Sequence, residues 1–431
     1  MKKVLIITYH WPPSGGITVL RCLKLVKYLR EFGWEPIVFT AKNASYQILD
    51  ESNLKDVPAN LEIHRVPLFE PTQLFKKISR RPVHKPLQNI TQSSEKKRGL
   101  IDTLSIWVRG NFFIPDARAS WIKPSLKYLE EYLKNNPVDA IFTDGPPHTN
   151  TVIGMRLSQK FGIPWLADFQ DPWTQVDYYS KMLIGKRANR IHHQLEQEVF
   201  QTAAKITIAS PTWKKDLEQI GARDVSVFYY GYDESDFSGY EPKTTSNFTF
   251  FHGGLLGNDR NPVSFFEALE EILEENPQLK SRVKIKLAGE VDYSVIESLK
   301  STHLIELTEL MGMIPRKQVF KEYEHASLLL LPINQAANAG GRIPGKLFEM
   351  LRSQKPIMVF GPSNGDVKKI VETKKLGKSF EYSEKKEIRQ FLHQLMVENK
   401  LDDFEPQTSV IEFSNSELTK QIAHFLHEIT A

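Results

Sequence analysis

Glycines and charged residues crowd residues 338–349 in a pattern that suits an anion. Small residues lead into a predicted helix that begins near Pro344, and proline is favoured in the first turn of a helix. Backbone N–H groups at a helix start, together with Arg342 and Lys346, would bind a phosphate. Glu349 lies about one turn further on, where its carboxylate can accept hydrogen bonds from a pair of sugar hydroxyls. The alternative is that Lys346 and Glu349 form a solvent-facing pair.

Two more glycine-rich turns follow predicted strands. Gly15 and Gly16 follow the first strand and precede a helix, so the backbone there could approach a phosphate closely. Their spacing is not the dinucleotide fingerprint, and a Gly-Gly turn alone is more often structural. Gly254 lies in a second turn, which ends in Arg260. A guanidinium can bind two phosphate oxygens at once, so this turn suits a diphosphate; the alternative is a surface arginine after a flexible turn.

Acidic residues and a histidine follow the fourth and fifth predicted strands. Asp144 and His148 come after the fourth strand, and Asp168 and Asp171 come at the end of the fifth. Ligands of open α/β sheets bind at the carboxyl ends of the strands, so these side chains could position a sugar hydroxyl or exchange a proton. Each also has a structural alternative, because Asp144 and Asp171 could form turns and His148 could cap a helix. Their convergence favours function for the set.

The elements that would position these residues alternate between strand and helix. Amphipathic helices are predicted between most of the strands, for example at residues 19–29, 149–160 and 187–202. The predicted strands lie at residues 4–8, 35–40, 61–66, 139–143, 164–168, 205–209 and 225–230, then at 247–251, 283–288, 304–307, 328–331 and 356–360. This order predicts an α/β protein with parallel sheets covered on both faces. The polar stretch at residues 232–246 reads as a linker, so we predict two doubly wound domains.

Composition excludes several other classes. The length of 431 residues implies two or three domains. A net charge of +4 argues against a nucleic-acid partner. One cysteine, Cys22, excludes a disulfide framework and a cysteine-based zinc site. The single cysteine fits a reducing compartment, and a cytoplasmic protein is expected. The apolar runs are far shorter than the about 20 residues that a membrane span needs, so no span is predicted.

The segment at residues 71–115 interrupts the alternation. Residues 71–100 contain eight basic residues and one acidic residue. An aromatic-rich stretch follows, with Trp107, Phe112, Phe113 and Trp121. Basic residues beside exposed aromatic side chains can rest on an anionic membrane surface, which predicts peripheral contact with the inner face of the cell membrane. A solvated insert is an equal alternative.

Taken together, these positions resemble the GT-B glycosyltransferases, in particular the retaining transferases of glycosyltransferase family 4. The residues that carry the resemblance span nearly the whole chain: residues 12–16, 231–233, 287–290, 312–315, 330–332 and, most specifically, the Pro-Gly-Lys-Leu-Phe-Glu run at 344–349. Residues 165–173 are similar to a branch of bacterial members that make surface polysaccharides.

The resemblance implies two Rossmann-like domains that face a central cleft. Residues 1–235 would form the acceptor-side domain, residues 236–410 the domain that binds the nucleotide-sugar donor, and residues 411–431 a helix that packs back on the first domain. The predicted catalytic residues are the strand-end residues Asp144, His148 and Asp168, and by strand position the counterpart of the pocket histidine of many relatives is nearer Asp144 or Asp168 than His148. The implied donor-binding residues are Gly15, Gly16, Gly254, Arg260, Gly289, Ile314, Gly340, Gly341, Arg342, Lys346 and Glu349.

Roles within the donor set also follow from the resemblance. Glu349 matches the glutamate that binds the ribose, Arg260 and Lys346 match the cations of the diphosphate, and Ile314 lies where backbone atoms meet the base. The chain departs from the family at Gly341, eight residues before Glu349, where relatives commonly have a glutamate that contacts the sugar.

The function expected from the resemblance is transfer of a sugar from a UDP- or GDP-sugar to a glycan or lipid-linked acceptor, with retention at the anomeric carbon. It would need no metal and no cofactor, and no nucleic acid would take part. Two alternatives stay open. One is a nucleotide-sugar epimerase of the same fold, and the other is a non-catalytic partner subunit that binds a nucleotide sugar, which the missing glutamate favours.

Overall fold

A computed structural model describes residues 1–46, 48–70, 100–243, 245–401 and 409–431. They divide into two compact units. The N-terminal unit comprises Met1–Tyr230 and Asn415–Ala431, and the C-terminal unit comprises Gly231–Ser414. The basic residues 71–99 lie outside the described residues, so what the sequence predicts for them stays a prediction, as do the roles predicted for the domains.

The N-terminal unit is built on a sheet of seven parallel strands in the order β3-β2-β1-β4-β5-β6-β7. The strands are β1 Lys2–Ile7, β2 Trp34–Ala41, β3 Glu62–Val66, β4 Ala140–Gly145, β5 Trp165–Phe169, β6 Lys205–Ile208 and β7 Val225–Val227. The helices of this unit are α1 Ile17–Tyr28, α2 Leu100–Phe112, α3 Ile122–Asn135, α4 His148–Phe161, α5 Lys186–Thr202, α6 Pro211–Gln219 and, from the end of the chain, α13 Asn415–Ile429.

The central strand β1 shows why the apolar runs of the sequence become strands. Successive side chains of a strand point to opposite faces of the sheet. Leu5 and Ile7 belong to the core on one face, whereas Val4 and Ile6 belong to the core on the other. That second core includes Ile422 of α13. A strand covered on both faces needs an uninterrupted apolar run, which is what the sequence provides.

A buried ion pair lies within this unit. The Arg21 guanidinium of α1 donates to both carboxylate oxygens of Asp168 on β5, at 2.7 Å from Nε and 2.8 Å from Nη2. Nη2 also donates to the carbonyl oxygen of Phe228 at 2.6 Å, and the Thr207 hydroxyl donates to Asp168 at 2.6 Å. Both charged side chains are buried. The pair therefore joins a covering helix to strands β5 and β6 and to the chain after β7.

The C-terminal unit has a second parallel sheet, of six strands in the order β10-β9-β8-β11-β12-β13. The strands are β8 Phe248–Gly253, β9 Val283–Ala288, β10 Thr308–Gly312, β11 Leu328–Pro332, β12 Ile357–Phe360 and β13 Gly377–Phe380. The helices are α7 Val263–Glu275, α8 Tyr293–Ser301, α9 Arg316–His325, α10 Lys346–Arg352, α11 Asp366–Thr373 and α12 Lys385–Met396. The prediction of doubly wound parallel sheets is confirmed for both units.

The prediction of a strand at residues 304–307 is wrong. Leu304–Leu307 forms a short 3-10 helix, and the strand is the next segment, Thr308–Gly312. Strand β10 is at the edge of its sheet and is half-exposed, so its residues are not a continuous apolar run. A prediction based on runs of apolar residues therefore placed the strand in the preceding turn, in which Leu304 is buried. Strand β13 also lies at an edge, and the sequence did not predict it.

We expect Arg21→Met and Asp168→Asn each to lower the free energy of unfolding by about 3–5 kcal/mol, because each leaves one buried charge without its partner. Urea unfolding followed by circular dichroism measures this. The double variant Arg21→Met/Asp168→Leu removes both charges and should recover much of the loss. The control is Lys134→Ala, which removes an exposed pair with Glu131 and should have no measurable effect. A single variant no less stable than this control would contradict the prediction.

Candidate functional site

Backbone turns at the ends of β8 and β9 approach each other closely in the C-terminal unit. Gly254 follows β8 with φ +123°, and Gly289 follows β9 with φ +112°. A Cβ atom on Gly289 would lie 2.3 Å from the carbonyl oxygen of Gly254. Both positions therefore favour glycine, because a side chain at either would strain the backbone, and at Gly289 it would also clash with the carbonyl oxygen of Gly254. The sequence had singled out both glycines, and the packing supplies a structural reason for them.

Lys346, the first residue of α10, extends toward these turns. Its Nζ donates to the carbonyl oxygen of Gly253 at 2.9 Å and lies 3.3 Å from where a Cβ on Gly254 would be. Burial lowers the pKa of the ammonium to about 7, and the positive charge of Arg260 contributes to the shift. Helix α10 has only seven residues. The candidate anion site therefore depends on the Lys346 charge more than on a helix dipole.

Arg260, the other predicted cation, is already paired. Its guanidinium binds the neighbouring carboxylate of Asp259 through two hydrogen bonds of 3.0 Å. The main chain of Asp259 is held in turn, because its carbonyl oxygen accepts from the N–H of Gln335 at 2.8 Å. An anion that binds Arg260 must compete with the Asp259 carboxylate, whereas at Lys346 the competing group in the described part of the chain is the carbonyl oxygen of Gly253.

Glu349 is oriented by an arginine that the sequence analysis did not select. Arg316, the first residue of α9, donates from Nη2 to Glu349 Oε1 and lies 3.1 Å from the Asp236 carboxylate through Nη1. The motif used for the sequence prediction stops one residue earlier, at Pro315. Ile314, the predicted neighbour of the base, is half-buried in the turn between β10 and α9.

The loop before α10 contains the remaining predicted donor residues. Gly340 and Gly341 lie in the short 3-10 helix Ala339–Gly341, and Arg342 follows it. The N–H of Gly341 donates to the carbonyl oxygen of Asn338 at 3.3 Å, so this turn uses it. The side-chain amide of Asn338 is buried, and neither its oxygen nor its nitrogen has a hydrogen-bond partner among the described residues. Such an amide is unusual and marks a position where a ligand could bind.

Asp144 and His148 lie together at the junction of β4 and α4 in the N-terminal unit. The Asp144 carboxyl accepts hydrogen bonds from the Thr8 hydroxyl and the Asn150 amide, both at 3.1 Å, and burial raises its pKa to about 8. Burial lowers the pKa of His148 to about 3, and its ring stacks on Trp173 at a centroid distance of 4.5 Å. Asp144 is therefore largely protonated and His148 neutral at pH 7.

The other predicted residues of this unit have structural roles. Asp168 is adjacent to Asp144 in the sheet, but its carboxylate is occupied by Arg21. The N–H of Gly15 donates to the carbonyl oxygen of Ile48 at 2.8 Å, and a Cβ on Gly15 would lie 2.7 Å from the Ile48 side chain. Gly16 precedes α1 with φ +86°, a conformation that favours glycine.

Solved structures resemble the chain along its whole length. Sucrose-phosphate synthase from Thermosynechococcus elongatus is 11% identical, with 100% of this chain and 96% of that chain covered and a TM-score of 0.59. HepE from Anabaena, in complex with UDP and glucose, is 13% identical, with 99% and 100% covered and a TM-score of 0.62. A UDP-N-acetylglucosamine 2-epimerase is 13% identical, with 99% and 96% covered and a TM-score of 0.54.

The chain has the GT-B fold. This confirms the expected fold of two Rossmann-like domains. No protein-family model and no curated protein matches the sequence. At 11–13% identity these structures establish the fold alone. The assignment of candidate site residues in this GT-B chain therefore depends on the geometry of the chain itself.

From the lowered pKa of Lys346 we predict that the affinity for a diphosphate depends on pH. A bound diphosphate favours the charged ammonium, so binding raises this pKa above 7 and takes up a proton. Affinity for UDP should weaken as pH rises from 7 to 9, approaching a limit of about tenfold per pH unit. Calorimetry in two buffers of different ionisation enthalpy measures both the affinity and the proton uptake.

The matched control is Lys346→Arg, because an arginine stays charged over this range. Its affinity for UDP should vary little between pH 7 and 9. A wild-type affinity as independent of pH as that of the arginine variant would contradict the assignment of Lys346.

Proposed function

We propose that this protein is a retaining glycosyltransferase that moves a sugar from a UDP- or GDP-sugar to a glycan or lipid-linked acceptor. The observation that carries the proposal is the arrangement on α10. Lys346 reaches the turns after β8 and β9, and Glu349, three residues later, has one carboxylate oxygen held by Arg316. One short helix thus offers a cation for a diphosphate and a carboxylate for sugar hydroxyls, within a GT-B fold.

The donor half of the proposal is electrostatic. When the bond between the sugar and the diphosphate breaks, negative charge grows on the departing diphosphate. Lys346 and Arg260 stabilise that charge without a metal or a cofactor, in a site whose backbone is already fixed by Gly254 and Gly289. Preorganised charges of this kind lower the barrier because they need little rearrangement during the reaction.

The acceptor half uses Asp144 and His148 to position the acceptor hydroxyl. A protonated Asp144 donates a hydrogen bond, and a neutral His148 has an Nδ1 atom with no hydrogen-bond partner among the described residues. With a pKa of about 3 the imidazole is a weak base, so we assign it positioning rather than removal of the proton. We leave Asp168 out of the catalytic set because its carboxylate is committed to Arg21.

Two considerations support the type of reaction. HepE is described in complex with UDP and glucose, and sucrose-phosphate synthase is a GT-B relative by fold. Retention rests on the resemblance of residues 344–349 to glycosyltransferase family 4. The glycan or lipid-linked acceptor rests on the resemblance of residues 165–173 to bacterial enzymes of surface polysaccharide synthesis.

Substitutions in the donor set should reduce turnover of the donor. We expect Glu349→Gln to weaken binding of the preferred nucleotide sugar by about 10- to 100-fold, as for loss of a hydrogen bond to a charged group. Arg260→Ala should lower turnover as well, because it removes a cation from the diphosphate. Release of nucleoside diphosphate, measured across UDP-, GDP-, ADP- and CMP-sugars with a panel of acceptors, tests both variants.

The control is Glu234→Gln, which removes a carboxylate that pairs with Arg352 in the same unit. It should retain wild-type turnover. Wild-type kinetics in both Glu349→Gln and Arg260→Ala would overturn the assignment of the donor site.

A nucleotide-sugar epimerase is the second candidate, because a UDP-N-acetylglucosamine 2-epimerase shares the fold. An epimerase converts its donor without an acceptor, so product analysis in the absence of acceptor separates the two. Gly341, in place of a sugar-contacting glutamate, favours a third candidate, the non-catalytic partner subunit. Calorimetric binding of a nucleotide sugar without turnover across the acceptor panel would support that candidate.

A lipid-linked acceptor would be reached from a membrane surface, and α2 offers an apolar surface for this. Leu104, Trp107 and Phe112 are 59%, 42% and 69% exposed, and the two aromatic rings contact each other at 5.6 Å. Trp121, which the sequence placed with them, is instead buried and stacked on Phe39. No helix of the described chain is both long enough and apolar enough to cross a bilayer. We propose a cytoplasmic enzyme that binds the inner membrane surface through residues 71–115.

The variant Trp107→Ser/Phe112→Ser should bind vesicles of anionic lipid at least about tenfold more weakly, because each ring contributes roughly 1.5–3 kcal/mol when buried. Co-sedimentation with phosphatidylglycerol vesicles measures this, and added salt should weaken binding of the wild type. Tyr293→Ser, an exposed aromatic residue of the C-terminal unit, is the control. Equal losses in both variants, or no sedimentation of the wild type, would contradict membrane contact through α2.

A further inference from the structure

Arg316 is held between two carboxylates of the C-terminal unit. Nη1 lies 3.1 Å from Asp236 Oδ2, and Nη2 donates to Glu349 Oε1. The guanidinium also lies 5.3 Å from the centre of the Phe320 ring, which packs edge-on against Phe237 at 4.8 Å. Contacts with two carboxylates and one ring leave the planar guanidinium little freedom to rotate.

The charge of this group is secure. Burial alone would lower the pKa of the guanidinium, but the Glu349 and Asp236 carboxylates together raise it above its ordinary value. The interaction with Glu349 is therefore one between full charges, which makes the hydrogen bond stronger than a neutral one.

The Glu349 carboxylate is used on one side only. Oε1 accepts from Arg316, whereas Oε2 has no hydrogen-bond partner among the described residues and is not among their fully buried polar atoms. The terminal torsion of a glutamate side chain is broad. Without a partner, the carboxylate plane would rotate, and a ligand would have to order it on binding.

We propose that Arg316 is a positioning residue, which orients Glu349 so that Oε2 accepts a hydrogen bond from one ribose hydroxyl and thereby sets the preference for ribonucleotides. This inference rests on the proposed function, in which Glu349 faces the ribose of the donor. Arg316 itself need not touch the nucleotide. Its effect is on selectivity between a ribonucleotide and the analogue that lacks the hydroxyl, which a purely structural role would not change.

The experiment compares UDP with 2′-deoxy-UDP and 3′-deoxy-UDP by calorimetry. In the wild type, loss of the bound hydroxyl should weaken binding by about 10- to 100-fold for one of the two analogues, as expected for a hydrogen bond to a charged group. The selectivity ratio is the Kd of that deoxy analogue divided by the Kd of UDP. In Arg316→Gln this ratio should fall to within about threefold of unity. In Arg316→Lys it should be intermediate, because an ammonium keeps the charge but cannot hold the carboxylate plane through a rigid fork.

Two further variants make the outcome decisive. Arg352 lies on the same helix as Glu349 and pairs with a different carboxylate, that of Glu234. The variant Arg352→Gln should keep the wild-type ratio. Glu349→Gln should lose it. The proposal is overturned if Arg316→Gln and Arg316→Lys both keep the wild-type ratio while Glu349→Gln loses it. Thermal unfolding identifies any variant that fails to fold, and the lysine variant then decides alone.

Failure of the proposed function looks different. A wild type that does not bind UDP, or a Glu349→Gln variant with unchanged UDP affinity and an unchanged ratio, would overturn the donor-site assignment and this inference with it. Loss of selectivity in Glu349→Gln alone would leave the donor site standing and remove only the role of Arg316.

Discussion

Parallel pairing of every strand in both sheets is the constraint on which the rest of the structure depends. In a parallel sheet the carboxyl ends of all strands lie on the same side. The loops that follow these ends are where polar groups can lie close together without disturbing the core. Gly254, Gly289 and Ile314 follow three adjacent strands of one sheet, and Asp144 and Asp168 end two adjacent strands of the other. The sheet topology therefore brings together candidate site residues that are far apart in the sequence.

Buried charge is the second consequence of this arrangement. At the ends of neighbouring strands of the first sheet, Asp168 forms an ion pair with Arg21, whereas Asp144 has hydrogen bonds but no ion pair with any described residue. Burial disfavours a charged carboxyl, and a nearby negative charge disfavours it further. Burial is the main cause of the raised pKa of Asp144; the charge of Asp168 raises this pKa further, whereas the charge of Arg21 lowers it. The ion pair therefore places charges of opposite sign beside Asp144, and burial keeps that carboxyl largely protonated.

Apolar runs and glycine positions were sufficient to predict the fold class, because strands covered on both faces must be continuously apolar. They failed at the edge strand β10, which is half-exposed. The strand-end rule found Asp144 and Asp168 but did not distinguish them, because the sequence does not show that Arg21, distant along the chain, pairs with only one. Arg316 was missed for the same reason, since its contacts with Asp236 and Glu349 arise only when three separate segments fold together.

The two candidate cations of the proposed donor site differ in what an incoming diphosphate would have to displace. Arg260 is bound by Asp259 through two hydrogen bonds, so a phosphate oxygen gains one charged partner and releases another. Among the described residues Lys346 donates only to the carbonyl oxygen of Gly253, and its lowered pKa reflects a charge that its surroundings disfavour. An anion relieves that penalty directly and breaks no ion pair. In the proposed donor site, the larger electrostatic contribution to diphosphate binding would therefore come from Lys346, even though arginine is the better phosphate ligand when both cations are free.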